Sequence, residues 1–148
     1  MKNLEAVSEI DYARLAAYID GEGCIRLQPS GHKRRNRFYT VVVIIGQMDK
    51  RLTDWLEETF GGSVAIGQGS KYLPMYYWKL GSQALDYVLV RCMPYFIVKG
   101  EQVKIALEYR ATVTDRTITL PQELIDRREE LRAKLHQLKH GHKVKKAA

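Results

Sequence analysis

The sequence predicts an α+β domain in which helices alternate with antiparallel hairpins. Two pairs of short segments, residues 24–28 with 38–46 and 63–70 with 75–81, carry the alternating polarity of strands. Helical periodicity precedes, separates and follows those pairs, with Gly, Pro or basic turn residues at the junctions. Finally, 148 residues suffice for one domain with a sizeable core, and a 45% hydrophobic content excludes a disordered chain. The predicted order is αββαββα with an extra C-terminal helix.

The first helix is expected from Ser8, where Ser8 and Asp11 suit a capping box, to about Asp20. Ala13, Ala16, Ala17 and Asp20 recur at helical spacing and make a narrow face of small side chains, which either lets a partner helix approach closely or is plain helix surface. Leu15, Tyr18 and Ile19 form the adjoining apolar face. In the first strand Ile25 and Leu27 point one way, with Cys24, Arg26 and Gln28 the other. A basic turn, residues 29–37, leads to a strand over 38–46 with Tyr39, Val41, Val43 and Ile45 inward. Asp49 to Phe60 forms the second helix, stopped by Gly61 and Gly62. After the second hairpin, with Tyr76, Trp78 and Leu80 inward, helices are expected over 82–93, ended by Pro94, and over 96–111. Pro121 opens the last helix at its N1 position, running to about Lys139.

Composition narrows the function. A net charge of +7 and a pI near 9.4 favour a polyanionic partner such as nucleic acid. No apolar run approaches the roughly 18 residues of a membrane span, and no charged-then-apolar leader opens the chain. Cys24 and Cys92 are too few for a zinc cluster or a disulfide framework. The chain is therefore expected inside the cell, in the cytoplasm or in an organelle or nucleoid.

The stretch Leu-Ala-Ala-Tyr-Ile-Asp-Gly-Glu-Gly, residues 15–23, ends an apolar helix in two carboxylates. A helix C-terminus bears partial negative charge and favours Lys or Arg there. Asp20 and Glu22 contradict that preference, which points to chemistry, and a cation held beside the terminal carbonyls would resolve the conflict. Leu15, Ala16, Ile19, Asp20 and Gly23 match the consensus of the LAGLIDADG homing endonucleases. Ala17, Tyr18, Gly21 and Glu22 depart from it. With the element order, the resemblance covers most of residues 8–112, taken as an endonuclease domain over 1–115 with a basic helix and tail over 116–148.

The resemblance implies a site-specific double-strand DNA endonuclease of the intron type. Such an enzyme cuts a long pseudo-palindromic target and leaves 3′ overhangs. One motif copy implies a homodimer joined through the 11–21 helix, with Ala13, Ala16, Ala17 and Asp20 at the contact. Glu22 stands at the family's metal-binding position, assisted by the Gly21 carbonyl, and would share Mg²⁺ or Mn²⁺ with its twin. Carboxylates suit such hard cations, which activate water and stabilise the leaving oxygen. Asp20 is expected to have a structural hydrogen-bonding role. Gln47, Arg51 and Lys99 match positions that order solvent and stabilise charge in the single-motif branch. As plain residues they would be a helix cap, a surface arginine and a turn lysine. The fold has two other uses, as an RNA-splicing maturase and as a non-catalytic DNA-binding protein.

For DNA reading, the outward strand positions Arg26, Gln28, Thr40, Gln68, Ser70, Tyr77 and Lys79 carry the donors and acceptors that base edges require, and Val42 and Ile44 suit thymine methyls. Lys33, Arg34, Arg35 and Arg37 in the first turn, and Lys71 in the second, suit phosphates. In the C-terminal helix Leu124, Leu131, Leu135 and Leu138 share one side, and Arg127, Arg128, Arg132, Lys134 and Lys139 lie elsewhere. That helix is expected to pack on the domain with its basic side toward flanking phosphates. His136, His140 and His142 belong to a solvated basic tail, and residues 143–146 are expected to be disordered.

Overall fold

Helix α1 (Glu9–Glu22) starts where Ser8 Oγ accepts a hydrogen bond from the Asp11 amide at 3.2 Å. It feeds directly into strand β1 (Gly23–Ser30), which pairs antiparallel with β2 (Phe38–Gln47). Helix α2 (Lys50–Phe60) is capped by Asp49 and ends at Gly61 and Gly62, both at positive φ. Strands β3 (Ser63–Gly67) and β4 (Met75–Leu80) complete an antiparallel sheet of order β1-β2-β4-β3. Helices α3 (Gln83–Cys92), α4 (Gly100–Ala111) and α5 (Gln122–His140) follow. This computed structural model describes residues 2–30, 38–67, 73–81, 83–112 and 121–140. Lys33, Arg34, Arg35, Arg37, Gln68, Ser70, Lys71, Ser82, His142 and the 143–146 tail lie outside the described residues.

The expected strand phases hold. Ile25, Val41, Val43, Ile45, Trp78 and Leu80 are buried under the helices, whereas Arg26 and Thr40 are exposed on the other face. Phe60 links the aromatic part of this core, with its ring 5.6 Å from Tyr12, 5.7 Å from Trp55 and 6.4 Å from Trp78. The α2 terminus is fixed in turn, because Trp78 Nε1 donates to the Gly61 carbonyl at 2.8 Å.

Five details differ from expectation. Ala16 is fully buried within its own chain, so it cannot meet a partner. The outward stripe of α1 runs instead through Ile10, Arg14, Ala17, Tyr18 and Gly21, one step around the helix. Tyr18 is consequently exposed, its ring resting 6.3 Å from that of Trp55, and does not anchor the core. Val42 is only 4% exposed and therefore unavailable to a base. The helix expected from Phe96 begins at Gly100, because a 3-10 turn (Met93–Tyr95) and an Asp20-held bend precede it. In α5, Arg128 faces inward with Leu131 and Leu135, while Leu138 is exposed.

Arg128 tolerates burial because it donates to the Thr112 hydroxyl at 3.1 Å and the Thr112 carbonyl at 2.6 Å, which meets the requirement that a buried charge be hydrogen-bonded. Leu131 joins the main core, so α5 is structural to the domain. Leu131→Ala should cost about 2–5 kcal/mol of unfolding free energy in a chemical-denaturation experiment, and a change near zero would detach α5 from the core. Burial also pushes the Cys92 thiol up to about 12. Raising a thiol pKa depletes the reactive thiolate, so at pH 8 iodoacetamide should alkylate Cys92 only after unfolding, as read by peptide mass spectrometry.

Candidate active site

The site lies where α1 runs out. Leu15, Ala16 and Ile19 bury one side of the helix, which fixes the direction in which its last turn points. Gly23 then turns the chain into β1 directly against that turn. A Cβ on Gly23 would stand 2.6 Å from the Ile19 Cα, so only glycine allows the strand to leave this closely. Asp20 is half-buried and Glu22 exposed on either side of Gly21, which is exposed and has open space where a Cβ would stand.

The two acids have separate partners. The Asp20 carboxylate accepts hydrogen bonds from the backbone amides of Ile97 at 2.8 Å, Val98 at 3.2 Å and Lys99 at 2.9 Å. It thereby holds the bend that leads into α4, the structural role expected of it. Glu22 Oε2 accepts from Gln47 Nε2 at 3.0 Å, while Gln47 Oε1 accepts from the Met48 amide at 2.9 Å. The amide of Gln47 is thus fixed at both ends and orients the carboxylate.

Lys99 supplies the cation that the helix end calls for. Its Nζ donates to the Ile19 carbonyl at 2.8 Å and also to the Gly23 carbonyl. Burial pushes the Lys99 pKa below the usual lysine value, Cys24 and Asp20 oppose that shift, and Lys139 adds to it. Arg51 stands apart, 90% exposed, with its guanidinium forked on Asp49. Hydrogen bonds from the Arg51 side chain and backbone hold the Asp49 carboxyl down at about 2. Arg51 still shares a surface depression with Gln47, Arg14 and Tyr18. Of the four residues assigned catalytic roles, Glu22 and Gln47 touch each other, Lys99 sits at the adjoining carbonyls and Arg51 faces the same hollow.

Two neighbours escaped sequence reading. Lys139, from the end of α5, brings Nζ within 3.3 Å of the Cys24 sulfur and adds positive charge beside Lys99. Asp49, read only as the first residue of the second helix, caps α2 and restrains Arg51. The preference for Asp just ahead of a helix is the signal that could have marked Asp49; no local feature announces a contact that spans 115 residues.

A hard divalent cation fits the donor chemistry, since Glu22 offers exposed carboxylate oxygens beside the last-turn carbonyls that a helix leaves without internal partners. Among the described residues, however, one chain brings together no group of three His, Cys, Asp or Glu side chains able to hold an ion.

The outward sheet face collects Arg26, Thr40, Ile44, Tyr77 and Lys79 from β1, β2 and β4. Gln28 lies on the same face and receives a hydrogen bond at its carbonyl from Thr40 Oγ1, 3.4 Å away.

Known structures share this architecture. The structure of the homing endonuclease I-CvuI in complex with its target matches with a TM-score of 0.72 and 17% identity over 95% of this chain and 87% of that one. An archaeal intron-encoded homing endonuclease, I-Vdi141I complexed with DNA, matches with a TM-score of 0.74 and 16% identity over 88% and 84%. The I-SmaMI LAGLIDADG homing endonuclease bound to cleaved DNA matches with a TM-score of 0.60 and 16% identity over 93% of this chain but 45% of that one. No family model matches the sequence, and no curated protein does. The chain has the LAGLIDADG homing-endonuclease fold.

Asp20→Asn should test the bend. Hydrogen bonds to charged groups contribute about 1.5–3 kcal/mol, so losing the carboxylate should cost on the order of 2 kcal/mol and speed amide exchange at residues 97–99. Unchanged exchange there would show that another contact holds the segment.

Proposed function

We propose that the protein is a homodimeric, divalent-metal-dependent, site-specific DNA endonuclease of the intron-homing type. The observation that carries this reading is the Glu22–Gln47 pair at the end of a helix whose outer stripe includes Ala17 and Gly21. One chain then offers one oriented carboxylate next to an open sheet face. Pairing two such helices through Ala17 and Gly21, with half-buried Ala13 beside them, would bring two Glu22 side chains together. The corrected stripe suits this pairing better than the Ala16 face, because Gly21 has nothing within 4 Å of a Cβ built on it.

Two Glu22 carboxylates, with the Gly21 carbonyls, would hold Mg²⁺ or Mn²⁺. Bound there, the metal supplies an activated water, a counter-charge and a stabilised leaving oxygen. Gln47 holds the Glu22 carboxylate in one orientation, which outer partners of metal ligands commonly do. Lys99 and Lys139 add positive potential beside the helix end, and Arg51 adds it at the start of α2; each favours an approaching phosphate. Arg26, Gln28, Thr40 and Lys79 supply hydrogen-bonding groups for the major groove. A two-fold dimer reads two inverted half-sites, hence a long pseudo-palindromic target cut in both strands; the 3′ overhangs are what the resemblance to the LAGLIDADG homing endonucleases implies. I-CvuI and I-Vdi141I, which share the fold, were seen with DNA, and I-SmaMI with cleaved DNA, which supports this reading.

Selection of cleaved products from randomised duplexes with Mg²⁺ should return a palindromic consensus. Glu22→Gln should abolish cutting of that consensus while preserving its binding, and Gln47→Ala should slow cutting about 10- to 100-fold. Binding without nicking by the unaltered protein would favour a non-catalytic DNA-binding protein, and selective binding of intron RNA instead would favour a maturase.

A further inference from the structure

The end of the sheet nearest Glu22 carries two glycines in strand positions that normally bear side chains. Gly46 in β2 is the direct partner of Tyr77 in β4, and Gly67 in β3 pairs with Met75, two residues along. Among the described glycines only Gly61 and Gly62 have positive φ, so backbone conformation does not call for glycine at 46 or 67. The Tyr77 ring does. A Cβ on Gly46 would stand 2.9 Å from Cε1 and 3.1 Å from Cδ1 of that ring. One on Gly67 would fall closer still to Cε2, with Cδ2 at 2.7 Å. Opposite edges of a single ring therefore occupy both Cβ positions. The ring lies low across β2, β4 and β3.

The cradle has a meaningful place. Gly46 immediately precedes Gln47, whose amide orients Glu22. Tyr77 leans toward this end, whereas Arg26, Thr40 and Lys79 stand farther along the sheet. Glycine inside a strand weakens it and marks close approach by another group. Here the group is a side chain of the same sheet, turned down where an upright one would meet DNA first.

We propose that Gly46, Gly67 and Tyr77 form a specificity device for the base pairs nearest the cut. The inference rests on the DNA endonuclease reading. The glycines are positioning residues that keep the ring down. Tyr77 makes the contact, presenting an apolar surface that admits thymine methyls and reads groove shape. Discrimination at those pairs is steric, and hydrogen-bond readout falls to the residues farther out.

The test compares the unaltered protein, Tyr77→Ala, Gly67→Ala and the double variant by selecting cleaved products from randomised duplexes with Mg²⁺. A Cβ at 67 should swing the ring up, because a terminal ring moves more easily than backbone. Gly67→Ala should then cut the original consensus about tenfold or more slowly, with altered preference confined to the central positions. Tyr77→Ala, which keeps both glycines, should change the same positions. The double variant should recover activity relative to Gly67→Ala, since the clash is gone. Melting curves establish that each variant is folded. The cradle is overturned alone if the unaltered protein yields a consensus and Gly67→Ala and Tyr77→Ala yield the same one at the same rate. It is also overturned alone if the double variant is no better than Gly67→Ala. If the unaltered protein cuts no duplex, the endonuclease reading falls and the cradle with it.

Discussion

The clamp between the end of α1 and the segment before α4 governs the rest of this structure. Asp20 receives three successive amides from residues 97–99, and Lys99 returns its ammonium to the carbonyls of Ile19 and Gly23. Each side offsets what would be costly in the other. The helix end has accumulated negative charge from its dipole and two carboxylates, and the incoming bend has amides with no helical partner. Neither segment is satisfactory alone. Their union ties the bend before α4 to the end of α1 across nearly eighty residues of sequence.

The clamp also explains how Glu22 remains exposed at an electrostatically poor position. Lys99 satisfies the carbonyls, so Glu22 need not be recruited to any local cation. It bonds instead to a neutral amide, Gln47, which orients the carboxylate without neutralising it. A lysine in the place of Gln47 would compete with a metal for the same oxygens. Two acids two residues apart thus divide the work, one holding the chain and the other left with its charge. The small outer stripe of α1 completes the arrangement by leaving open space at Gly21.

The legible parts of the sequence were those set by short-range rules. Strand alternation located the buried faces of β1, β2 and β4, while Ser8, Asp49 and the Gly61–Gly62 pair marked helix ends. The errors arose where a distant group overrode local preference. Phe96 to Lys99 have helix-compatible residues, yet Asp20 captures their amides and delays α4 until Gly100. Ala16 and Ala17 look alike in sequence, but one helical step sends Ala16 into the core and Ala17 to solvent. Arg128 reads as a surface cation until Thr112 supplies buried acceptors. At the site, Glu22 was assigned through the motif and Gln47 and Lys99 through the resemblance to the single-motif branch, whereas Lys139 required the packing of α5.

The extent of the matched fold differs between its structural neighbours. This fold spans 87% of the I-CvuI chain but only 45% of the I-SmaMI chain, so it fits into the longer protein with more than half left over. One copy of the fold carries one Glu22 and one motif helix. Among the described residues no second carboxylate stands at the helix end in the same orientation, because Asp20 is turned away and committed to residues 97–99. A second copy related by a two-fold axis would supply the missing ligand in the matching orientation, and the same axis would repeat the sheet face on the other side. In the proposed homodimer, symmetry would give both a complete metal site and a two-fold-related reading surface from a single sequence. A Glu22 at the helix end suits that proposal, since only a residue near the axis would meet its own twin.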